Sequence, residues 1–420
     1  MSKHLALGKF SFGMGDRFGH QGKAQLQACI LATELGADVV PVWNKSNREH
    51  TFIGTEPTSL RAEADAAVKA LGWKKPYHVD ADHIRLETVD RFIAPSDFFT
   101  IDVADSIGKP ADATDVNKFI ARHPELTGKI SIPKIKHRFE ITRAEVGRVA
   151  NKFLLAVQDA GKIYRRIAKA KGEANFITEI SMDETDSPQT PSELLIILAA
   201  IADEKIPIQT IAPKFTGRFN KGVDYAGDVK QFEKEFNEDL AVIAFAIRKY
   251  GLPPSLKLSV HSGSDKFSIY EPMRKALKKF NAGVHIKTAG TTWLEELIGL
   301  AEAGGDGLEI TREIYACAIG RVDEFCAPYA SVIDIDKTKL PSAMAVNGWS
   351  SKQFTDALRH DQKTPGYNPS FRQLLHVSFK VAAKKGDRYL NALNKHESII
   401  ARNVTENLFE RHMKPLLLGK

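Results

Sequence analysis

The sequence predicts a (β/α)8 barrel, because short apolar strands alternate with longer helical patterns along its first 305 residues or so. Eight apolar segments fit strands, and a barrel of this kind has eight. A doubly wound α/β sheet is the alternative. Residues 13–19, after the first strand, are glycine-rich but lack the spacing of a dinucleotide or phosphate loop. We therefore predict the barrel.

The strands and helices follow one another in regular order. The eight predicted strands are Leu5–Ser11, Asp38–Val42, Tyr77–Ala81, Phe98–Val103, Asn175–Ser181, Ile208–Ala212, Leu256–His261 and Val284–Lys287. Segments with apolar residues at helical spacing lie between most of them. One of these helices has a clear start at Thr190-Pro191, where a hydroxyl precedes a proline at the first helical position.

Two regions lie outside this repeat. Residues 105–140 are polar and contain several prolines, so we predict an insertion after the fourth strand. Residues 306–420 have helical patterns, and no linker separates them from the preceding residues. We therefore predict a catalytic barrel over residues 1–305 and a helical C-terminal extension, residues 306–420, packed against it.

Composition excludes several classes of protein. Among the 420 residues, 59 Lys and Arg stand against 52 Asp and Glu, a net charge of +7, but the basic residues are scattered among acidic ones. We therefore expect no nucleic-acid partner. Three cysteines without a CxxC pair indicate a reducing compartment. The first twenty residues contain no signal peptide or membrane helix, so we expect a cytoplasmic protein without a membrane partner. Homo-oligomer formation stays open.

Polar residues occupy strand positions where a purely structural barrel would carry Val, Ile or Leu. Alternate side chains of a barrel strand point inward, and those at its carboxyl end face the catalytic mouth. Because an unpaired buried charge costs several kcal/mol, we predict that these residues form a functional cavity. The inward-facing set includes His78, Asp80, Asp82, Glu179, Ser181, Asp183, Ser259, His261, His285 and Lys287.

Carboxylates and imidazoles that converge on one mouth favour a divalent cation, with Zn²⁺ or Mn²⁺ as the expected metals. Glu179 and His261 are the preferred ligands, because each is a strong ligand near the end of its strand. The third ligand is either His285 or, from the extension, His376. No HxH or HExxH spacing is present that would strengthen the metal assignment.

Cations near the same mouth indicate an anionic substrate, either a carboxylate or a phosphate. They are Arg17, Lys214, Lys266 and Lys287. The turn His261-Ser-Gly-Ser-Asp-Lys266 has small residues, Ser262 among them, that let a ligand approach the backbone closely.

Together these motifs resemble one known family, the tagaturonate/fructuronate epimerases of hexuronate catabolism. The resemblance rests on residues 12–20, 78–83, 178–184, 188–191, 261–266 and 375–380. It implies a metal-dependent enzyme, without an organic cofactor, that inverts one hydroxyl-bearing carbon of a keto-hexuronate. The inverted carbon of such a substrate is β to the ketone, so retro-aldol cleavage and re-addition through an enediolate is a reasonable route. Proton or hydride transfer at that carbon is the competing route.

For this reaction we assign a role to each candidate residue. Asp82 is the base, and Asp80 is expected to raise its pKa by like-charge proximity. Asp265 or Lys266 is the opposite acid. The remaining assignments are Glu179, His261 and His376 for the metal, and Arg17, Asp80, Lys214, Ser262 and Lys287 for the sugar-acid substrate.

Two other functions remain compatible with the sequence. A metal-dependent aldolase or aldose–ketose isomerase acting on a sugar acid or sugar phosphate would use the same enediolate chemistry. A sugar-acid binding protein, or an inactive relative of the enzymes, could keep the pocket without turnover. Product analysis separates the enzymes from one another, and Asp82→Asn separates an enzyme from a binding protein.

Overall fold

Eight parallel strands close into a barrel, and this confirms the predicted fold class. The computed structural model describes residues 5–183, 185–261, 265–288 and 290–419. The barrel strands are β1 (Phe10–Gly15), β2 (Val39–Ser46), β3 (His78–Ile84), β4 (Phe98–Asp102), β7 (Ile177–Ser181), β8 (Thr210–Ala212), β9 (Lys257–Val260) and β10 (Val284–Lys287). Each pairs with its neighbours in chain order, and β10 closes the barrel against β1.

Helices connect the strands and form the outer layer. They are α1 (Gly22–Glu34), α2 (Asn47–Ile53), α3 (Pro57–Ala70), α4 (Val89–Ile93), α5 (Ala113–Arg122), α6 (Arg143–Lys171), α7 (Pro191–Asp203), α8 (Val229–Tyr250), α9 (Phe267–Phe280) and α10 (Thr291–Ala303). The predicted start of α7 is confirmed, because the Thr190 hydroxyl accepts a hydrogen bond from the backbone N–H of Glu193. Short 3-10 turns occur at Ala104–Ser106, Pro124–Leu126 and Glu173–Asn175.

The segment predicted as an insertion lies between β4 and α6. It contains α5 and an antiparallel hairpin formed by β5 (Gly128–Ile130) and β6 (Phe139–Ile141). The helix begins at a good cap, since the Asp112 carboxylate accepts the N–H groups of Thr114 and Asp115. The boundaries at residues 105–140 and 305/306 stay predictions.

Helices of the C-terminal extension pack against the barrel helices. They are α11 (Gly305–Ile319), α12 (Val322–Cys326), α13 (Ala343–Asn347), α14 (Ser351–Leu358), α15 (Pro369–Val377), α16 (Phe379–Lys384), α17 (Asp387–Lys395) and α18 (Glu397–Glu406), with 3-10 turns at Ala327–Val332 and Lys337–Lys339 and a π-helical segment at Asn407–Leu418. The helix α18 contacts α1 and α10, and the π-helical segment contacts α1 and α9. Within the described ranges, every helix is too short or too polar to cross a bilayer.

Apolar residues fill the barrel at its amino-terminal end. Val40, Val42, Phe98 and Ile177 face the lumen and form one buried cluster together with Leu7. Leu7 precedes the first strand, which runs over Phe10–Gly15 and not over the predicted Leu5–Ser11. The predicted strand begins five residues too early, because the apolar residues before position 10 close the bottom of the barrel without belonging to the sheet. The polar residues of the candidate site lie beyond this cluster, toward the carboxyl ends of the strands.

Lys257 is a buried cation at the amino-terminal end of β9. Its Nζ donates to the backbone carbonyl of Gly8 and lies 3.5 Å from that of Leu7. It is 4% exposed, and none of the ion pairs within the described ranges includes it. Burial lowers the pKa of Lys257 from 10.5 to about 7.

This lowered pKa predicts how stability depends on pH. Between pH 7 and 10.5 the unfolded chain holds a proton on Lys257 that the folded chain has released, so stability rises with pH across this window. Relative to Lys257→Met, the wild type should gain up to about 1.4 kcal/mol of unfolding free energy per pH unit. Urea unfolding at several pH values measures it, with the exposed Lys278→Met as the control. A difference that does not change with pH would contradict the assignment.

Candidate active site

A cavity of about 360 Å³ opens at the carboxyl ends of the barrel strands. Its walls come from the carboxyl ends of β2, β3, β4 and β10, from the segments that follow β1, β2, β3, β7, β8 and β9, and from one residue of the C-terminal extension. The cavity brings together several residues that the sequence places at the mouth. Its polar lining includes Arg17, Asp82, His83, Asp183, His261 and Lys287.

Lys287 is the central cation of this cavity. Its Nζ lies 2.7 Å from Asp82 Oδ1, 2.8 Å from Asp80 Oδ2 and 3.1 Å from Glu179 Oε1. Thr100 joins the group by donating to Asp80 at 3.0 Å. All three carboxylates are almost fully buried, so the ammonium group compensates charges that the barrel could not otherwise hold.

A glycine on the neighbouring strand β1, directly in register with Lys287, makes room for this lysine. A Cβ at Gly13 would lie 2.9 Å from Lys287 Cγ and 2.8 Å from Asn44 Nδ2, which is closer than such atoms approach. Both Gly13 and Gly15 lie within β1. The glycine-rich turn predicted at residues 13–19 therefore begins only after the strand. The absent side chain at position 13 lets Lys287 extend across the lumen toward β3.

The pKa shift predicted for Asp82 occurs on Asp80 instead. Burial, partly opposed by Lys287, raises the pKa of Asp80 to about 7. Burial also acts to raise the pKa of Asp82, but the positive charges of His83 and Lys287 outweigh it and hold that pKa well below its usual range. The prediction was wrong because it considered only the second carboxylate and not the two cations. Asp82 is therefore ionised at neutral pH and reaches the cavity, while Asp80 lies beneath it.

His83 is a cavity residue that the sequence reasoning did not select. Strict alternation along β3 would turn it away from the lumen, opposite to Asp82. The register between β3 and β4 shifts between Ala81 and Ile84, and His83 adopts a left-handed backbone conformation with φ +51°. This irregularity turns His83 and Asp82 to the same side, so that His83 Nδ1 lies 2.8 Å from Asp82 Oδ1. Only its position in a polar run at a strand end marked it in the sequence.

Two imidazoles and a carboxylate form a compact group beside these residues. Among the described residues, His83, Asp183 and His261 offer ligand atoms that all lie within 4.8 Å of one another. His261 Nδ1 lies 3.1 Å from Asp183 Oδ1, and His261 Nε2 lies 2.7 Å from Glu179 Oε1. Burial lowers the pKa of His261, but the two carboxylates outweigh it and raise the pKa to about 9.

The chemistry of this group fits a divalent cation. Two imidazoles with carboxylate oxygens are the ligands that Zn²⁺ and Mn²⁺ accept. His83 Nε2 in this group, and Oε2 of the neighbouring Glu179, are buried and make no hydrogen bond to the described residues. Buried polar atoms are normally satisfied, so these two are suited to a ligand. Of the predicted pair, His261 belongs to this group together with His83 and Asp183, whereas Glu179 lies beside it, with its Oε1 2.7 Å from His261 Nε2.

The two candidates for a third ligand lie outside this group. His285 faces Ser11, with its Nδ1 2.9 Å from the Ser11 hydroxyl, and burial lowers its pKa to about 3. His376 lies on α15 with its ring against Gly290, and its backbone carbonyl accepts a hydrogen bond from Arg17 at 3.2 Å. The extension therefore contacts the mouth through His376, and the structure does not bring the His376 ring to the His83, Asp183 and His261 group.

Asp265 and Lys266 do not line the cavity. The Asp265 carboxylate accepts from Arg372 of the extension at 2.5 Å, and its backbone N–H donates to His412 at 2.8 Å. Lys266 donates to the backbone carbonyls of Asn220 and Val223. Both residues are fully buried where the extension packs on the barrel. Both side chains therefore lie away from the cavity that Asp82 lines, and no sequence signal indicates these distant partners.

The remaining residues predicted to bind the substrate do not lie together in one cavity. Arg17 lines the cavity but is paired with Glu49, 3.1 Å away. Lys214 lines a second cavity of about 430 Å³ that shares Asp183, Lys221 and His261 with the first, and it donates to the backbone carbonyl of Thr185. Ser262 lies outside the described residues.

Comparisons with known proteins show which family this chain belongs to. The sequence model of the tagaturonate epimerase family matches residues 2–416. The tagaturonate/fructuronate epimerase of Thermotoga maritima is 26% identical over 421 residues, which cover 96% of this chain and 80% of that protein. The native crystal structure of the fructuronate-tagaturonate epimerase UxaE from Cohnella laeviribosi has a TM-score of 0.81 at 24% identity, covering 99% of this chain and 82% of that one. Its complex with two glycerol molecules also has a TM-score of 0.81 at 24% identity, covering 99% and 83%. These superpositions show a common fold, and the family match over nearly the whole sequence shows that this chain belongs to the tagaturonate epimerase family and is an isomerase.

Proposed function

We propose that this protein interconverts tagaturonate and fructuronate by inverting the hydroxyl-bearing carbon β to the ketone, with the help of a divalent cation. One observation carries the proposal. Asp82, an ionised carboxylate, faces the cavity directly beside the group formed by His83, Asp183 and His261. A base and a candidate metal site therefore adjoin the same substrate volume, as the reaction requires.

The cation would be held by His83, Asp183 and His261, with Glu179 next to His261. When bound, it would act as a Lewis acid that polarises the substrate ketone and stabilises negative charge on its oxygen. The chain's own contribution is to orient the imidazoles, because each ring is fixed by a carboxylate on at least one side.

Asp82 would remove and return the proton of the reacting hydroxyl. After Asp82 takes this proton, the bond between the hydroxyl-bearing carbon and the carbon next to the ketone breaks. The hydroxyl-bearing carbon becomes an aldehyde, and the electron pair of the broken bond passes toward the ketone to form an enediolate. The aldehyde fragment rotates and re-adds through its other face, and Asp82 returns the proton to the new alkoxide. Lys287 stays bound to Asp80 and Glu179 during the proton's transfer, so the neutralised Asp82 leaves no unpaired cation.

The positions of Asp265 and Lys266 support this route. Inversion by proton transfer at carbon needs a second acid or base on the opposite face of the substrate. The two residues predicted for that role are buried under the extension and do not line the cavity. Cleavage and re-addition needs only one group that exchanges the hydroxyl proton, and Asp82 supplies it.

The test is product analysis by NMR. The protein is incubated with tagaturonate and Mn²⁺ or Zn²⁺ in D2O, and the proposal predicts fructuronate without deuterium at the inverted carbon. Deuterium at that carbon would indicate that its C–H bond is broken, and would contradict cleavage in favour of proton transfer. Accumulation of three-carbon fragments would indicate an aldolase, and unchanged tagaturonate would contradict epimerase activity.

A further inference from the structure

The helix α15 of the C-terminal extension contacts segments that follow four barrel strands at the mouth. The backbone carbonyl of His376 accepts from Arg17, which follows β1, at 3.2 Å. That of Leu375 accepts from Trp293 Nε1, near the start of α10 after β10, at 2.8 Å. Arg372 contacts the loops that follow β8 and β9. One helix therefore links four parts of the mouth that are far apart in the sequence.

The guanidinium of Arg372 uses all three of its nitrogens in its contacts. Nη2 donates to Asp265 Oδ2 at 2.5 Å, Nε to the carbonyl of Gly222 at 2.5 Å, and Nη1 to the carbonyl of Leu358 at 2.6 Å. The side chain is fully buried, so water does not compete for these bonds. The guanidinium therefore holds the loops after β8 and β9 to the extension.

Asp265 is held in an unusual backbone conformation. Its φ is +59°, in the left-handed region, which aspartate and asparagine tolerate better than most residues with a side chain. Its backbone N–H donates to His412 of the π-helical segment at 2.8 Å. Two parts of the extension therefore fix Asp265, and such a conformation persists only where the surroundings impose it.

Both loops carry residues of the candidate site. The loop after β9 begins at His261, four residues before Asp265, and His261 shares the candidate metal group with His83 and Asp183. Gly222, in the loop after β8, follows Lys221, which lines the cavity. A metal ligand whose surroundings are fixed in advance loses less conformational freedom when the ion binds.

We infer that Arg372 is a positioning residue for the metal site, because through Asp265 it fixes the chain that follows His261. This inference rests on the proposed function and gives the C-terminal extension a part in metal binding. The carboxylate of Asp265, predicted from the sequence as a catalytic acid, then acts from outside the cavity through its bond to Arg372.

The test measures the Kd of Zn²⁺ by competition with a chromogenic chelator, with Mn²⁺ in a parallel titration. In Arg372→Lys the ammonium group keeps a charge beside Asp265 but cannot bind Gly222 and Leu358 with the same geometry. The Kd should rise about 10- to 100-fold. With tagaturonate and enough Zn²⁺ to saturate the variant, kcat should return to within about tenfold of the wild type, since Arg372 does not line the cavity.

A second variant and a control accompany this measurement. Asp265→Asn combined with Arg372→Met removes both charges of the buried pair, which is often nearly neutral for stability, and asparagine accepts the left-handed backbone. Its Kd should rise in the same range. The control is Arg359→Lys, since Arg359 also joins the extension to the barrel but donates to Glu302, in the last turn of α10 and away from the mouth, at 2.6 Å. Its Kd should stay within twofold of the wild type.

The outcomes separate this inference from the proposed function. A wild type that binds Zn²⁺, together with a Kd within twofold of it in both Arg372 variants, would overturn the inference alone. A lower kcat at saturating Zn²⁺ with an unchanged Kd would also overturn it, because Arg372 would then act on something other than the metal site. A wild type that binds neither Zn²⁺ nor Mn²⁺ would overturn the proposed metal site and this inference with it.

Discussion

Replacing Lys287 with methionine is expected to destabilise the folded protein by about 3–5 kcal/mol, because it leaves buried carboxylates without their cation. The ammonium group lies within 3.1 Å of Asp80, Asp82 and Glu179, and Asp80 and Glu179 are completely buried. Urea unfolding monitored by circular dichroism measures the loss. The sequence alone assigns Lys287 to substrate binding. From the structure, we expect its replacement to affect mainly the stability of the fold.

Two comparisons make this prediction specific. Lys257→Met also removes a buried lysine of the barrel, but one that contacts backbone carbonyls and no carboxylate, so its loss of stability should be smaller. Adding Asp80→Asn to Lys287→Met should recover part of the lost stability, because one unpaired charge is removed with the cation. A Lys287→Met variant within 1 kcal/mol of the wild type would show that the three carboxylates do not depend on it.

Changing Asp82 to asparagine is expected to lower kcat by about 10²- to 10⁴-fold while substrate binding is retained. Asparagine has the same shape but cannot accept the hydroxyl proton. Its amide can still contact Lys287, so the loss of activity should exceed the loss of stability. Turnover and equilibrium binding of tagaturonate, measured on the same preparation, separate the two effects.

The matched control is Asp102→Asn, which removes another carboxylate of the same cavity, one that is paired with Arg85. Its kcat should stay within tenfold of the wild type. If Asp82→Asn also stayed within tenfold, another group would have to be the base. Weaker binding with normal kcat would assign Asp82 to substrate recognition only.

The barrel could be predicted because its signal is local. Each strand is an apolar segment bounded by a helix, and alternation identified Asp80, Asp82, Glu179 and His261 as inward-facing before the fold was known. All four lie in the upper lumen or at the mouth. The error in the first strand came from Leu7, which is apolar because it closes the barrel bottom and not because it belongs to the sheet.

The parts that could not be predicted depend on irregular backbone or on distant contacts. His83 enters the cavity only through the register shift of β3, which a strict two-residue period cannot represent. Asp265 is buried by Arg372 and His412, more than a hundred residues away in the chain. Tyr329 of the extension also lines the cavity, and the sequence around it does not indicate that it lies at the barrel mouth.

The central claim is that His83, Asp183 and His261 share one divalent cation next to Asp82. The most direct measurement is the metal content of the purified protein by elemental analysis, after dialysis and re-equilibration with Zn²⁺ or Mn²⁺. We expect one ion per chain for the wild type and for His137→Ala, which removes an imidazole outside the cavity, and much less than one for His83→Ala and His261→Ala. Full occupancy in both cavity variants, or no bound ion together with full turnover in the wild type, would contradict it.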